Sequence, residues 1–249
     1  MTPWYMESFG REYLDLYPTR DEAEARRDVT AIVALIDPPR EAPLLDLGCG
    51  AGRHLVALHE AGFTRLTGLD LSADLLDVAA SRLAAAGAVD ADLIRADMRQ
   101  IPADRCFETI LSLFTSFGYF AQDAENRAVL AGMRRALRPG GTVLIDTLNP
   151  DFVLEHLVRS EERLLSGRRV RIERWVDAGS KRVKKRMHVM GPGGTTRRFE
   201  ESVRMYGKDE FVAMLEDAGF GEVRVYGSLR GDPYARASER LILVARGAG

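Results

Sequence analysis

From residue 43 onward, the sequence alternates short apolar runs with longer segments of helical periodicity. Five of the apolar runs predict strands: PLLDL (43–47), RLTGLD (65–70), ADLIRAD (91–97), CFETILSLF (106–114) and TVLIDTL (142–148). Nearly continuous apolar strands separated by helices are typical of a parallel sheet that is covered on both faces. The alternation therefore predicts a doubly wound α/β domain.

The last part of the chain adds two strands to this sheet. A predicted helix, KDEFVAMLEDAGF (208–220), precedes the strand-like runs EVRVYGSL (222–229) and ERLILVARG (239–247). Only GDPYARAS joins these two runs, and parallel neighbours need a longer crossover, so the last strand must run antiparallel if the two pair. We therefore predict a seven-stranded, mostly parallel sheet with an antiparallel last strand. The helix before the fifth strand is predicted over 123–141, ending at Pro-Gly-Gly.

Two other segments interrupt the α/β pattern. RRVRIERWV, KRVKKRMHVM and TTRRFEESVRMY are three β-like runs separated by DAGS and GPGG, and they predict an antiparallel meander. The N-terminal segment predicts a helix, with Thr19 and Glu22 spaced as a capping box and two prolines at its end. We therefore expect an N-terminal helical segment over 1–38, an α/β domain over 39–150 and 207–249, and an inserted β-subdomain over 151–206.

Composition excludes several classes of protein. The 35 basic and 37 acidic residues leave a net charge of −2, so no overall attraction to nucleic acid or to an anionic membrane is predicted. The only two cysteines, Cys49 and Cys106, form neither a disulfide framework nor a metal-binding pair, and no metal site is predicted. No apolar run approaches the ~20 residues of a membrane span, and the N-terminus does not resemble a signal peptide. We therefore expect a cytoplasmic protein.

The stretch LLDLGCGAGRH joins the first predicted strand to a helix through three glycines. Such a turn places backbone N–H groups and the positive end of a helix dipole at the carboxyl edge of the sheet, where α/β proteins bind ligands. A nicotinamide fingerprint would read G-x-G-x-x-G, whereas this loop reads G-x-G-x-G. An aspartate lies in or directly after each of the first three strands, and these three side chains should face one crevice: Asp46, Asp70 and Asp97. Asp70, at the end of the second strand, is placed to accept both hydroxyls of a ribose.

These residues resemble the class I S-adenosylmethionine-dependent methyltransferases. The resemblance rests on LLDLGCGAGRH, TGLDLSADLLDVA, RADMRQIP, LRPGG and the closing antiparallel hairpin, and it covers residues 43–148 and 208–247. The β-insertion after the fifth strand is similar to that of a subgroup that contains small-molecule N-methyltransferases. The resemblance implies that 39–150 and 207–249 bind S-adenosyl-L-methionine.

The resemblance also implies roles for individual residues. The glycine loop would pass the methionine portion of the cofactor with support from Asp46, Asp70 would bind the ribose, and Asp97 would bind the adenine amino group. Leu71 and Met98 would form the walls of the adenine slot, and Leu113 would adjoin the sulfonium. Cys49 lies where the family has small residues, so it is interpreted as a space-filling side chain. The implied cofactor-binding set is Asp46, Gly48, Cys49, Gly50, Gly52, Asp70, Leu71, Asp97, Met98 and Leu113.

A small polar acceptor is the predicted substrate. The segment LFTSFGYF places hydroxyls between aromatic faces after the fourth strand, and the aromatic N-terminal segment resembles a lid. The predicted substrate-binding residues are Tyr5, Tyr13, Ser116, Tyr119 and Tyr206. None of the four histidines is assigned as a catalytic base, because a sulfonium leaving group is already activated and the protein mainly aligns the reactants.

Two other functions remain open at this level. The insertion is basic over 168–186 and contains Trp175, so a methyltransferase that docks RNA or protein on this surface is conceivable. The fourth strand lacks the (Asp/Asn)-Pro-Pro-aromatic motif of base-flipping methyltransferases, and nucleic acid is the less favoured partner. A nicotinamide-dependent oxidoreductase or a non-catalytic nucleotide-binding module is disfavoured by the glycine spacing, by Asp97 and by the final hairpin. The oligomeric state stays open.

Overall fold

The computed structural model describes residues 3–10, 12–17, 21–191 and 195–248. Eight helices occur in this part of the chain, together with a short 3₁₀ helix over Met98–Gln100. The helices are α1 (Trp4–Ser8), α2 (Glu12–Leu16), α3 (Glu22–Ile36), α4 (Arg53–Glu60), α5 (Ala73–Ala85), α6 (Asp123–Ala136), α7 (Pro150–His156) and α8 (Lys208–Asp217).

The strands form two separate sheets. The larger sheet has seven strands in the order β10-β11-β5-β4-β1-β2-β3. They are β1 (Leu44–Leu47), β2 (Leu66–Asp70), β3 (Asp92–Arg95), β4 (Phe107–Ser112), β5 (Leu137–Leu148), β10 (Phe220–Tyr226) and β11 (Arg240–Gly247). The smaller sheet has the order β6-β7-β8-β9, formed by β6 (Ser160–Leu165), β7 (Arg168–Asp177), β8 (Arg182–Met190) and β9 (Thr196–Arg204).

The larger sheet confirms the predicted fold class. β1 pairs in parallel with both β2 and β4, whereas β11 runs antiparallel to β5 and to β10. Every residue of β1 is buried, because helices cover both faces of the sheet. Two apolar clusters, one containing Leu45 and Phe211 and the other containing Ile32 and Leu55, form the core.

Helix ends follow local capping chemistry at several positions. The side chain of Asp21 accepts a hydrogen bond from the Glu24 amide and caps α3, whereas the predicted cap Thr19 lies outside the described residues. The helix α6 ends at Ala136, five residues before the predicted end. Leu137 is fully buried and pairs with Phe107, so the LRPGG segment forms the start of β5 rather than the last turn of the helix.

The insertion contains one more strand than the sequence pattern predicts. The additional strand β6 is mostly exposed, so its sequence lacks the apolar pattern of a strand. It forms a strand because it pairs in an antiparallel ladder with β7. The helix α7 is also additional, and its cap is the side chain of Asn149. One face of the insertion packs on α2 through an apolar cluster: Leu16, Val170, Ile172, Met187, Val189 and Phe199. Among the described residues, no helix is long and apolar enough to cross a membrane.

Candidate functional site

A cavity of about 1090 Å³ lies at the carboxyl edge of the larger sheet. Its walls come from the ends of β1, β2 and β4, the segment after β3, the helices α1 and α2, and β9 of the insertion. The structure brings thirteen of the fifteen predicted site residues to this cavity: Asp46, Gly48, Cys49, Gly50, Asp70, Leu71, Asp97, Met98, Leu113, Tyr5, Tyr13, Ser116 and Tyr119. Gly52 and Tyr206 do not line it.

The glycine loop bends sharply between β1 and α4. Gly48, Gly50 and Gly52 have φ values of +80°, +52° and +74°, a region that side chains disfavour. A Cβ on Gly52 would lie 2.9 Å from the Cβ of Ala79, so this glycine allows α4 and α5 to pack closely rather than exposing backbone to the cavity. A Cβ on Gly50 would meet nothing nearer than 3.9 Å, so its backbone borders open space.

Asp70 holds the glycine loop against the end of β2. Its Oδ2 accepts a hydrogen bond from the Gly50 amide at 2.9 Å, and its Oδ1 accepts one from the Ser72 amide at 2.9 Å. Burial raises the pKa of this carboxyl, and the amides of Ser72, Gly50 and Leu71 act in the opposite direction. Asp70 lines the cavity, where the remaining lone-pair capacity of its carboxylate can accept hydrogen bonds from ligand hydroxyl groups.

Asp46 carries a buried oxygen without a partner. Only 1% of its surface is exposed, and its Oδ2 has no hydrogen-bond partner among the described residues. Burial raises the pKa of this carboxyl from 3.8 to about 6, and the nearby His54 and Arg53 limit the rise. An unpaired buried oxygen in a cavity wall is unfavourable unless a donor is supplied.

Asp97 is held by its neighbour Arg99. The guanidinium contacts both carboxylate oxygens, with Nη2 to Oδ2 at 2.6 Å, and also forms an ion pair with Glu125. The hydrogen bonds from Arg99 hold the pKa of Asp97 below its usual value, although partial burial acts in the opposite direction. The carboxylate is therefore fixed at the cavity wall in its ionised form.

A row of aromatic rings, which we call the aromatic wall, closes the other side of the cavity. Phe9 stacks on Tyr119 with ring centroids 5.5 Å apart and contacts Tyr13 at 4.9 Å, and Tyr13 contacts Tyr17 at 4.6 Å. Trp4 meets the Tyr119 ring edge-on at 5.0 Å. The four-residue spacing of the N-terminal aromatic residues thus places rings against the loop that follows β4.

The loop after β4, residues 113–120, has two residues near its start in a strained conformation. Phe114 and Thr115 have φ values of +54° and +64°. Asp146 holds both amides, since its Oδ2 accepts from the Phe114 amide at 3.0 Å and its carbonyl accepts from the Thr115 amide at 2.9 Å. Arg240 completes the support through hydrogen bonds to Asp146 and to the Thr115 hydroxyl. Left-handed backbone in residues other than glycine is frequent at functional sites.

Comparison with known proteins agrees with this geometry. The family model described as "Methyltransferase domain" matches residues 44–141. A sugar enzyme from Streptomyces venezuelae, dTDP-3-amino-3,4,6-trideoxy-alpha-D-glucopyranose N,N-dimethyltransferase, is 30% identical over 80% of this chain and 84% of its own. The chain belongs to the class I S-adenosylmethionine-dependent methyltransferases.

Solved structures extend the likeness over the whole methyltransferase. The CcbJ methyltransferase from Streptomyces caelestis superposes with a TM-score of 0.80 over 97% of this chain and 98% of its own, at 20% identity, which shows the fold. An amino pentose methyltransferase from Micromonospora echinaspora, solved with S-adenosylmethionine bound, has a TM-score of 0.67 at 27% identity, covering 95% and 96% of the two chains. The confirmed cofactor is therefore S-adenosyl-L-methionine.

The residues of this methyltransferase fit that cofactor. The buried Oδ2 of Asp46 needs a donor, and the cofactor carries an ammonium group. Asp70 offers lone pairs for hydroxyl groups, and bare glycine backbone borders the cavity between the two carboxyls. The thiol of Cys49 lies behind this loop, where a Cβ on Gly68 would approach it to 2.9 Å. Burial raises the pKa of this thiol well above its usual value, so it is not an active nucleophile near neutral pH.

Tyr206 is placed differently from the prediction. It is buried in the core against Phe117 and Phe211, and its hydroxyl donates to Asp123 at 2.8 Å. Burial and this contact with a carboxylate raise the pKa of Tyr206. The predicted acceptor wall is corrected accordingly, because the ring supports the 113–120 loop from beneath and does not line the cavity.

The structure also brings residues to the site that the sequence analysis did not assign. Arg53 lines the cavity, forms an ion pair with Glu24 and lies over the Phe114 ring at 5.0 Å. Phe9, Arg197 and Phe199 are further wall residues. The position of Arg53 directly after the glycine loop was a signal that could have identified it. No sequence signal could have identified Arg197 and Phe199 of β9, because the insertion reaches the cavity only through tertiary packing.

The basic run of the insertion is largely paired with acids. With partners counted only among the described residues, six of its nine basic side chains form ion pairs: Arg168 with Asp15, Arg171 with Glu173, Arg174 with Glu161, Lys184 with Asp177, Lys185 with Glu201, and Arg186 with Glu200. The run does not form one face, because alternate strand residues point in opposite directions. Lys184 pairs with Asp177, whereas the neighbouring Lys185 lies over the ring of Tyr17 at 4.3 Å.

Proposed function

We propose that this methyltransferase transfers the methyl group of S-adenosylmethionine to the amino group of a small, polar, ring-shaped acceptor such as an amino sugar. The observation that carries the proposal is the aromatic wall, which lines the same cavity as the glycine loop and the carboxylates that fit the cofactor. About 1090 Å³ is close to the ~300–1,000 Å³ of typical small-molecule sites, so an acceptor that shares this cavity with the cofactor must itself be small.

The N-terminal helices restrict the acceptor's size. Both are tied to β9, since the Ser8 hydroxyl donates to the Glu200 carbonyl at 2.6 Å and Glu12 forms an ion pair with Arg197. Tyr17, just after α2, also donates to Glu201. These contacts close the cavity between the insertion and the sheet, an arrangement that suits a small molecule better than a folded RNA or a protein surface.

The charge of the cavity favours a cationic acceptor. Its described wall contains eight carboxylates and four guanidiniums: Glu7, Glu12, Asp21, Glu22, Asp46, Asp70, Asp74 and Asp97 against Arg53, Arg82, Arg95 and Arg197. Aromatic faces, here Phe9, Tyr13 and Tyr119, attract organic cations by a further ~0.5–2 kcal/mol. A methylated ammonium product carries the positive charge that such a site favours.

The names of several relatives support an amine acceptor. Besides the enzyme from S. venezuelae, a relative from Streptomyces fradiae is a dTDP-3-amino-3,6-dideoxy-alpha-D-glucopyranose N,N-dimethyltransferase, 34% identical over 55% of this chain. A relative from Saccharopolyspora spinosa is likewise an amino-sugar N,N-dimethyltransferase. The transfer of this acceptor class to the present chain is part of our proposal.

The residues divide the work as follows. The cofactor supplies an electrophilic methyl group on a sulfonium. Asp46 accepts from the cofactor's ammonium, Asp70 accepts from the ribose hydroxyls, and Asp97 binds the adenine amino group between Leu71 and Met98. Tyr5, Tyr13, Ser116 and Tyr119 orient the acceptor, and the enclosing walls exclude water. We assign no side chain as a general base: the amine gives its ammonium proton to water before it attacks as the neutral form, and the positive charge then lies on the methylated nitrogen.

The segments follow the same division. The described residues 3–10 and 12–17 form a lid, whereas α3 packs into the core of the α/β domain through Ile32. Residues 39–150 and 207–249 bind the cofactor, and 151–206 determine acceptor specificity. Both cysteines are free thiols, which suits a reducing cytoplasm.

A methyl-transfer assay with labelled cofactor tests the acceptor class. The panel contains amino sugars, free and nucleotide-linked, each beside the sugar with a hydroxyl at the same carbon, with RNA and protein fractions alongside. We expect label in the amines only, and much less of it with an Asp70→Ala variant at a limiting concentration of cofactor. Label in the hydroxyl sugars, RNA or protein, with the amines unlabelled, would refute the proposal.

A further inference from the structure

A buried arginine of the insertion binds the loop that carries Tyr119. Arg182 begins β8 and is 7% exposed. Its guanidinium donates to three successive carbonyls of the 113–120 loop, Gly118 at 3.1 Å, Tyr119 at 2.9 Å and Phe120 at 2.8 Å. On the other side it donates to the carbonyl and the hydroxyl of Ser202 on β9, at 2.6 and 2.8 Å.

The guanidinium reaches these five acceptors at once. Nη2 is shared among the carbonyls of Gly118, Tyr119 and Ser202, whereas Nη1 donates to the Phe120 carbonyl and Nε to the Ser202 hydroxyl. Arginine has five N–H donors in a rigid planar fork, whereas lysine has three around one point. No ion pair between Arg182 and a carboxylate is found among the described residues, so carbonyl oxygens carry the electrostatic compensation. Burying a charge in this way is unfavourable unless the geometry of its hydrogen bonds is good.

The bonded carbonyls fix the direction of the Tyr119 side chain. Phe117 is buried against Phe211, and Phe120 is buried beneath the guanidinium of Arg99, so both neighbours are anchored in the core. Gly118 lies against β9, where a Cβ would approach the Arg204 carbonyl to 2.6 Å. The carbonyls of residues 118–120 point toward Arg182. The Tyr119 ring lies in the cavity wall and stacks on Phe9.

We infer that Arg182 is a positioning residue for methyl transfer: it sets the orientation of the Tyr119 ring and thereby joins the inserted sheet to the acceptor side of the cavity. The part of this inference that concerns the acceptor rests on the proposed function. The mechanical part, that Arg182 orders the end of the loop, does not.

Hydrogen exchange tests the mechanical part. Two amides report on the two ends of the 113–120 loop. The Phe120 amide donates to Asn126 at the end bound by Arg182, and the Thr115 amide donates to the Asp146 carbonyl at the other end. In Arg182→Lys, with S-adenosylhomocysteine bound, we expect exchange at Phe120 to rise on the order of tenfold or more while Thr115 is unchanged. Arg186→Lys, on the same strand and face, is the matched control and should change neither amide.

Tryptophan emission gives a second readout. The chain has two tryptophans, so Trp4 alone reports in a Trp175→Phe background, and its ring lies 5.0 Å from that of Tyr119. Arg182→Lys and Tyr119→Ala should each change the Trp4 emission. If Arg182 acts through Tyr119, the double variant should match Tyr119→Ala alone, because coupled residues are not additive.

The binding and transfer measurements separate this inference from the proposed function. The affinity of Arg182→Lys for S-adenosylhomocysteine should stay within about threefold of wild type, whereas labelled transfer to the amino-sugar panel should fall about 100-fold, as misplaced reactants do. If wild type labels none of the amines, the proposed function fails while the exchange and emission results still decide the loop's positioning.

Three results would overturn the inference: unchanged exchange at Phe120, increased exchange throughout the chain, or emission changes that add in the double variant. The last two would show that Arg182 only stabilises the fold. If Arg182→Lys does not fold, Ser202→Ala replaces it, because this variant removes one acceptor of the guanidinium. Ser202→Ala should then give a smaller increase in hydrogen exchange at the Phe120 amide, with Thr115 again unchanged. Unchanged exchange at Phe120 in this variant would likewise overturn the inference.

Discussion

Asp46→Asn should stabilise the cofactor-free protein and weaken cofactor binding. The carboxyl is buried with an unpaired Oδ2, and burial raises its pKa from 3.8 to about 6. A shift of about 2 pKa units, at 1.36 kcal/mol per unit, corresponds to about 3 kcal/mol. This is the free energy by which ionisation of Asp46 disfavours the folded state.

The sign of the pH dependence follows from the raised pKa. Between pH 3.8 and about 6 the folded protein binds more protons at Asp46 than the unfolded chain does, so this group's contribution to stability falls as pH rises. The loss is complete above the folded pKa. Asp46→Asn should therefore gain up to about 3 kcal/mol above pH 7, and the gain should shrink toward zero near pH 4.

Urea unfolding of the cofactor-free variant and wild type between pH 4.5 and 8 measures this difference. Asp92→Asn, at an exposed position on the edge strand β3, is the matched control for replacing an aspartate by asparagine. Calorimetry with S-adenosylhomocysteine should show weaker binding by Asp46→Asn, and wild-type affinity should rise as pH increases through about 6. A stability difference that is independent of pH, or undiminished affinity in the variant, would refute the reasoning.

Three further predictions concern the loop, the ribose carboxylate and the insertion. Asp70→Ala should lower the affinity for S-adenosylhomocysteine by about 2–4 kcal/mol in calorimetry, because two hydroxyls lose an acceptor; unchanged affinity in a folded variant contradicts the assignment. Gly50→Val should abolish cofactor binding and keep the far-UV circular dichroism of wild type, since φ is +52° and the backbone borders the cavity. The double variant Lys184→Ser, Arg186→Ser should stay within about 1 kcal/mol of wild-type stability, with cofactor binding unchanged; salt-sensitive RNA binding that disappears in this variant would favour a docking surface instead.

Lys185 is kept in that variant because the structure separates it from its neighbours. In the sequence KRVKKR, the three positions 184–186 form one basic run. In the sheet, Lys185 contacts Tyr17 and pairs with Glu201 on the face that packs toward α2, whereas Arg186 contacts Trp175 on the other face. Replacing all three would disturb the cavity wall as well as the outer surface.

The sequence determined the larger sheet and its binding edge. Strands, caps and the glycine turn depend on interactions within a few residues, and parallel strands joined by right-handed crossovers bring their carboxyl ends to one edge. Asp46, Asp70 and Asp97 were therefore predictable as neighbours although more than twenty residues separate each from the next. The same local signals failed for β6, whose ladder with β7 decides its conformation.

Tertiary structure alone decided which residues form the acceptor side. Tyr119 and Tyr206 each lie beside a glycine in the sequence, yet Tyr119 lines the cavity and Tyr206 is buried against Phe211. Arg182 is one of nine basic residues in the run 168–186, and only its fit to the carbonyls of a loop about 62 residues earlier distinguishes it. Residues close in sequence determine the periodicity of helices and strands. The contacts of Tyr119, Tyr206 and Arg182 depend instead on how the insertion packs against the larger sheet, and this packing involves residues far apart in the sequence.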